Sequence, residues 1–378
     1  MPAETMTPRE RWLAVLTRRV PDRIPMDYWS TSEFSASLIR HLGLSRRSHG
    51  SLVAMLSRGS AKAGHLNEAR SALREALRLL HVDFVIHVAP KYVGPQLPHL
   101  TDIFGCKIRR VAYGTGEYSE VVTHPLAEFG SVEEIVAKYR WPSPDWYDYS
   151  DIPQQIAGWE AYPIQGGGSE PFLIYKNLRG QEQAVVDLVE HPEIVHYCLD
   201  KLFALAFTST QRILETIPGK VTLCYVAEDM GGQQSLLFSP KHIRTFLLPR
   251  MKRIIDLAHQ GGAFVFHHND GNCRAILPDL IATGIDLLNP IQWRSRGMER
   301  EGLKAAFGAQ LIFHGAVDNQ YTLPFGTVEE VRVEVMDNLR ILAQGGGYIL
   351  APCHNIQPVT PPENVVAMYE AGYSLGWA

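Results

Sequence analysis

Long apolar runs are missing from this sequence. Although 46% of its 378 residues are hydrophobic, no stretch approaches the roughly 18 to 20 residues that a helix needs to cross a bilayer. An excess of positive charge is missing too. Lys and Arg number 36 against 40 Asp and Glu, and a net charge of -4 with a pI near 6.4 gives no basic field of the kind that draws in nucleic acid. Neither membrane nor nucleic acid is an expected partner. Cysteine is scarce: Cys106, Cys198, Cys224, Cys273 and Cys353 are scattered without CxxC spacing, which argues against a disulfide framework or a zinc ribbon. The opening residues, Met1 to Arg11, lack the charged-then-apolar pattern of a secretory signal, so a cytoplasmic location is expected. A phosphate loop is absent as well. Gly166-Gly167-Gly168-Ser169 has no Lys-Ser/Thr and no GxGxxG context, and is expected instead to let a flat substrate approach the backbone.

What is present is a regular alternation. Short apolar segments at Ile24 to Tyr28, Asp83 to Val88, Tyr162 to Gly167, Val221 to Ala227, Phe264 to His268, Ile285 to Pro290, Leu311 to Val317 and Tyr348 to Pro352 read as eight buried parallel strands. Helix-length segments separate them. Ser239-Pro240 supplies a cap and a first-position proline before Ile243, Phe246, Leu247, Met251, Ile254, Ile255 and Ala258, which fall on one helical face. Thr327-Val328-Glu329-Glu330 resembles a capping box. The fold expected is α/β, a single (β/α)8 TIM barrel domain over 1–378 with an N-terminal helical extension. Two insertions are expected: a helical one at 45–80, one or two helices outside the barrel read as solvated with a lid or an oligomer contact as the alternative, and a β-hairpin at 103–125, whose strands flank Tyr113-Gly114-Thr115-Gly116.

Two of the strands end in groups that carry chemistry. The run Phe264-Val265-Phe266 breaks into His267-His268-Asn269-Asp270, and Tyr348-Ile349-Leu350-Ala351-Pro352 ends in Cys353-His354. Barrel enzymes collect their functional groups at the C-terminal ends of strands, so His268, Asp270 and His354 form a candidate metal site. A strand-end histidine can equally satisfy a buried backbone group. Period-two alternation turns His267 and Cys353 to the opposite face. Glu228 and Asp229 follow another strand and are the candidate general acid or base, with turn capping as the plainer role. By position, Tyr28, Trp29, Tyr175, Gln233, Asn289, Gln292 and Trp293 are candidate substrate-binding walls.

Pro8-Arg9-Glu10-Arg11 with Pro21-Asp22-Arg23-Ile24-Pro25, Glu228-Asp229-Met230-Gly231, Ser239-Pro240 to Pro249, Gly284-Ile285-Asp286-Leu287-Leu288-Asn289-Pro290-Ile291-Gln292, His314-Gly315-Ala316-Val317-Asp318 and Pro361-Pro362-Glu363-Asn364 occur in an order that resembles the uroporphyrinogen decarboxylase and corrinoid-dependent methyltransferase superfamily. The resemblance runs over nearly the whole chain and implies a (β/α)8 barrel with its site at the C-terminal mouth. It also implies a choice of chemistry. Decarboxylases of the haem pathway carry an arginine-rich segment after the first strand to hold the substrate's many carboxylates. Met26-Asp27-Tyr28-Trp29-Ser30-Thr31 stands there instead, and a desolvated carboxylate needs a cationic partner.

The methyltransferase branch has His-x-Cys after the fifth strand and a cysteine after the eighth, holding zinc. His268, Asp270 and His354 match those three positions, with Glu228 or Asp229 as a fourth contributor. Replacing two thiolates by a carboxylate and an imidazole leaves a harder donor set and a stronger Lewis acid, suited to polarising an oxygen. The resemblance therefore implies zinc or another divalent metal, a methyltransferase or demethylase acting on an oxygen-linked small molecule, a corrinoid carried by a partner protein or a thiol as acceptor, and a homodimer. The alternatives are a metal-free decarboxylase or lyase using Asp229 with Arg179 or Arg294, and a non-catalytic ligand-binding barrel.

Overall fold

Seven of the apolar runs pair into one curled parallel sheet, in chain order: Ile86–His87, Ile164–Ser169, Leu223–Ala227, Phe264–His268, Leu287–Asn289, Ile312–Val317 and Tyr348–Pro352. The computed structural model describes residues 3–57, 63–113 and 116–377, the side chains of 63–67 excepted. Every residue of Ile312–Val317 and of Tyr348–Pro352 is buried. Strands buried on both faces read as unbroken apolar runs, which is why these were visible in the sequence.

The expected first strand departs from this regularity. Ile24 to Tyr28 is reduced to one parallel bridge, Met26 with Leu350. Asp27 N donates to Leu350 O and Leu350 N to Pro25 O, each at 2.9 Å, while Asp83 N donates to Met26 O at 2.7 Å on the other side. Pro25 has no N–H to offer a ladder, so the segment sits beside both neighbours without a regular pairing.

Helices cover the sheet as their signals indicated. Pro240–His242, a π-helical turn at Ile243–Leu247 and Leu248–Gln260 follow one another without a break. Pro249 removes an amide donor from this segment, and a π turn accommodates such a loss. Thr327 and Glu330 form the capping box, the Thr327 side chain accepting from Glu330 N at 3.3 Å and Glu330 Oε2 from Thr327 N at 2.7 Å.

Both insertions depart from a bare scaffold. The hairpin pairs Ile108–Tyr113 with Gly116–Val121 antiparallel, and its expected turn residues Gly114 and Thr115 lie outside the described residues. The 45–80 segment forms His49–Leu56 and Ala63–Leu79, with 58–62 outside the description. It is not simply solvated, as the composition suggested. Leu52, Met55 and Ala69 share a small core with Ala36 and Ile39, and Leu73 and Leu77 face a cavity.

The N-terminal helix Pro8–Leu16 is tied to the strand starts by ions. Buried Arg11 donates from Nε to Asp22 Oδ1 at 2.6 Å and from Nη1 to Asp83 Oδ1 at 2.5 Å. Arg23 Nη1 reaches Asp83 Oδ2 at 2.8 Å, and Met26 N reaches the same oxygen at 3.0 Å.

Candidate metal centre

The Phe264–His268 strand lies between two parallel partners, with Ala227, His268 and Asn289 in register. Alternation sends consecutive histidines opposite ways. His267 is fully buried, its Nδ1 donates to Val226 O at 2.7 Å, and burial pushes its pKa down to about 4. His268 faces the mouth. Beyond it the chain turns, and Asp270 N donates to Asp229 Oδ1 at 3.0 Å while Gly271 N donates to Gln292 Oε1 at 2.5 Å. This loop crosses the one after Ala227 at minimal distance. A Cβ on Gly271, at φ +75°, would meet Gly232 O at 2.6 Å, and one on Gly231 would meet Asp270 O at 2.5 Å. Only glycine fits there, and the crossing holds Asp229 and Asp270 side by side.

The structure brings His268, Asp270 and His354 together, with one ligand atom from each lying within 4.8 Å of the others. Asp270 Oδ1 is 3.8 Å from His268 Nε2 and Asp270 Oδ2 is 3.7 Å from His354 Nε2. Asp229 Oδ1 stands 3.9 Å from His268 Nε2. None of these is a hydrogen bond by distance, and Asp270 Oδ1 is buried with no hydrogen-bond partner. Burial pushes the Asp270 carboxyl up, His268 and His354 pull it down, and Asp229 adds to the rise. Ligands about 2.0 to 2.1 Å from a tetrahedral ion sit about 3.4 Å apart. The two Asp270 contacts need a contraction of only a few tenths of an ångström, and the three donor atoms, within 4.8 Å of one another, need further side-chain movement to close on an ion; the donor types suit a divalent one.

A chain of hydrogen bonds behind His268 fixes which of its nitrogens is available. The carboxylate of buried Asp27 accepts from Tyr28 N at 2.8 Å and from Trp29 Nε1 at 3.0 Å. His314 Nε2, 3.0 Å from Asp27 Oδ2, must then be the protonated nitrogen of that ring. Its Nδ1 accepts from Asn289 Nδ2 at 2.7 Å, which turns Asn289 Oδ1 toward His268 Nδ1 at 2.5 Å. His268 Nδ1 therefore carries the proton. Its Nε2 presents a lone pair to the mouth, the tautomer a metal ligand needs.

The remaining expected residues divide. Tyr28 and Trp29 line cavities, and the Trp29 ring stacks on His268 with centroids 5.7 Å apart. Asn289 serves the chain just described rather than a substrate. Gln292 braces the Gly271 amide. Tyr175 is not a pocket wall: it is fully buried and donates to Asp187 at 2.5 Å, because its helix turns that face to its helical neighbours. Trp293 faces a separate cavity with Arg294, Arg300 and Tyr321, and exposed Gln233 is held by Ser295 at 3.4 Å. Glu228 is turned away by alternation, and both its oxygens accept from Phe172 N at 3.1 Å, so it caps the Pro171–Arg179 helix. Nor do the three glycines make room for a substrate. A Cβ on Gly168 would lie 1.7 Å from Tyr225 O and one on Gly167 2.7 Å from Thr210, so they let the strand pack against its own neighbours.

Sequence reasoning missed Asp27, His314, Tyr225 and Glu170. Tyr225 stacks on His268 with centroids 5.9 Å apart. Glu170 ends the Ile164–Ser169 strand, and burial together with Asp229 pushes its carboxyl up. Its position just past a strand end was the available signal.

Similarity to the uroporphyrinogen decarboxylase (URO-D) family spans residues 111–375. The chain belongs to this family. Among its relatives, uroporphyrinogen decarboxylase from Prochlorococcus marinus is 27% identical over 221 residues, covering 57% of this chain and 55% of the relative. The Nitrosococcus oceani enzyme of that name is 23% identical over 245 residues, covering 60% and 57%. The aligned region thus spans about half the length of these curated relatives. A methyltransferase from Methanosarcina mazei has the same fold, with a TM-score of 0.68 at 20% identity over 98% of this chain and 99% of that one. Among the described residues no helix is long and apolar enough to cross a membrane.

Proposed function

We propose that this family member is a metal-dependent methyltransferase or demethylase, built as a single (β/α)8 barrel closed through the Met26 segment, that moves a methyl group from an oxygen-linked small substrate to a corrinoid or thiol acceptor. The observation that carries the reading is Asp270 Oδ1, a buried carboxylate oxygen without a hydrogen-bond partner, 3.8 Å from a histidine nitrogen whose lone pair faces it. Most buried polar atoms in native proteins are paired, and among the unpaired buried side-chain atoms of the described residues Asp270 Oδ1 is the one carboxylate oxygen. His268, Asp270 and His354 would hold the ion, with Asp229 or Glu170 adjoining. A divalent ion on one carboxylate and two neutral imidazoles supplies Lewis acidity toward an oxygen. The protein's own groups do the rest: Trp29 and Tyr225 flank His268 with flat apolar surface, and Asp229 stands where it can hold or release a proton beside the bound oxygen.

The metal-free lyase reading requires a free cation near Asp229, and neither expected arginine supplies it. Arg179 is buried and saturated by Asp187, Leu126 O and Phe129 O, and Arg294 is paired with Asp318 at 2.7 Å. Elemental analysis of protein purified without chelator tests the proposal. It is expected to find a stoichiometric divalent ion that is lost when His268 and His354 are both changed to alanine. Metal content unchanged by that double substitution would sink it.

A further inference from the structure

A cavity of about 740 Å³ lies beside the triad rather than on it. It shares Tyr28 and His87 with a cavity of about 440 Å³ bounded by Trp29, Tyr225 and Asn355, and the rings of Trp29 and Tyr225 pack on His268. The two cavities adjoin at Tyr28 and His87, and the Ala63–Leu79 helix contributes Arg70 and Arg74 to the wall of the larger one.

Arg74 differs from the fully buried arginines. Arg11, Arg23 and Arg179 each hold carboxylates. The Arg74 guanidinium lies 4.1 Å over the ring of Trp159 and, among the described residues, has no hydrogen bond or ion pair. Arg70 and Arg78 stand one turn to either side, at the spacing where like charges repel. Arg78 is occupied by Tyr162 and Glu75, while Arg70 has no ion pair among the described residues. Two carboxylates also line the cavity, and both are engaged: Asp27 by His314, Trp29 and Tyr28, and Asp151 by Gln155 at 3.2 Å. Burial and the two neighbouring arginines push the Arg74 pKa down, as expected of a cation lacking an anion.

We propose that Arg74, assisted by Arg70, binds the carboxylate of a flat, aromatic substrate whose ring lies along Tyr28 and whose oxygen-linked group points to His268. A planar guanidinium donates two parallel hydrogen bonds to a carboxylate, and Trp159 beneath it keeps the fork oriented. The pair of arginines suits one anionic group, in contrast to the many that a porphyrinogen carries. The orientation rests on the metal-centre reading, whereas the binding does not.

Calorimetry with 4-methoxybenzoate and its uncharged counterpart 4-methoxybenzamide tests this on the intact protein. The carboxylate is expected to bind at least about tenfold more tightly than the amide, as befits a charge-assisted contact. Arg74→Gln should abolish that preference, Arg74→Lys should keep part of it, and Arg109→Gln on the hairpin should leave it unchanged. Equal binding of acid and amide, a preference that survives Arg74→Gln, or failure to bind benzoate, 3-methoxybenzoate or 4-methoxybenzoate at all would overturn the proposal. Metal content measured on the same samples separates the two ideas. Metal without Arg74-dependent anion binding removes only the subsite, and anion binding without metal removes only the metal centre.

Discussion

Around Arg11 the guanidinium nitrogens meet Asp22, Asp83 or the Met6 carbonyl at 2.5 to 2.9 Å. Around His268 the charged groups stop at 3.8 to 3.9 Å from its Nε2, and a carboxylate oxygen is left without a partner. Both clusters gather ionisable groups at strand termini, and although Asp229, Asp270 and His354 are about a third exposed where Arg11, Asp22 and Asp83 are buried, composition does not say which of them serves the fold. Saturation does. A buried ion cluster that serves the fold closes every hydrogen bond internally, since an open one costs stability; a cluster left open, with its spacing held by glycine crossings and a hydrogen-bonded chain behind it, is preorganised for something that arrives later.

Breaking the saturated cluster should have the largest effect. Arg11→Met leaves Asp22 and Asp83 without their shared cation and is expected to cost about 3 to 5 kcal/mol of stability in denaturant unfolding, with metal content per folded molecule unchanged. Next comes the chain behind the triad. Asn289→Leu frees the His268 ring to take the other tautomer and should weaken metal affinity per folded molecule about 10- to 100-fold, with a stability cost of about 1 to 3 kcal/mol for the ring nitrogens left unpaired; equal affinities would show that the chain does not set the tautomer.

A smaller effect is expected with pH. Burial alone would raise Asp22, but Arg11 and the amides of Met6 and Thr5 override it and hold its carboxyl well below the usual carboxylate range. Because the folded pKa is depressed, the stabilisation is complete above the unfolded value of about 3.9 and is lost as pH falls below it toward the folded value. Asp22→Asn should flatten that part of the stability curve. The smallest effect belongs to the solvent-exposed hairpin pair Arg109–Glu120 at 2.6 Å, where Glu120→Ala should change stability by no more than about 1 kcal/mol.

The sequence disclosed one side of this contrast better than the other. Buried parallel strands leave apolar runs, and a run that ends in His268 or His354 announces its last residue. Helix and loop residues give no such sign. Tyr175 and Trp293 lie a few residues past strand ends, yet they face a helix and a separate cavity because their direction depends on packing. The chain through Asn289, His314 and Asp27 was hidden for a different reason. It runs across neighbouring strands, from the His268–Asn289 register pair to the position beyond the Leu288–Phe313 pair, and register cannot be read from separate strands. Asp27 stood in view as the place where arginines were missing, while its use lay in what it accepts.

That chain of donors and acceptors is one-way, and its sense is set at the end farthest from the mouth. Asp27 can only accept while it is ionised, so each link after it has no choice of direction. An asparagine in its place could donate to His314 instead, and the message would then travel in reverse: His314 would give its Nδ1 proton to a turned Asn289 amide, and His268 would meet the mouth with an N–H. A single isosteric change, three side chains away, would convert a face that welcomes cations into one that greets anions.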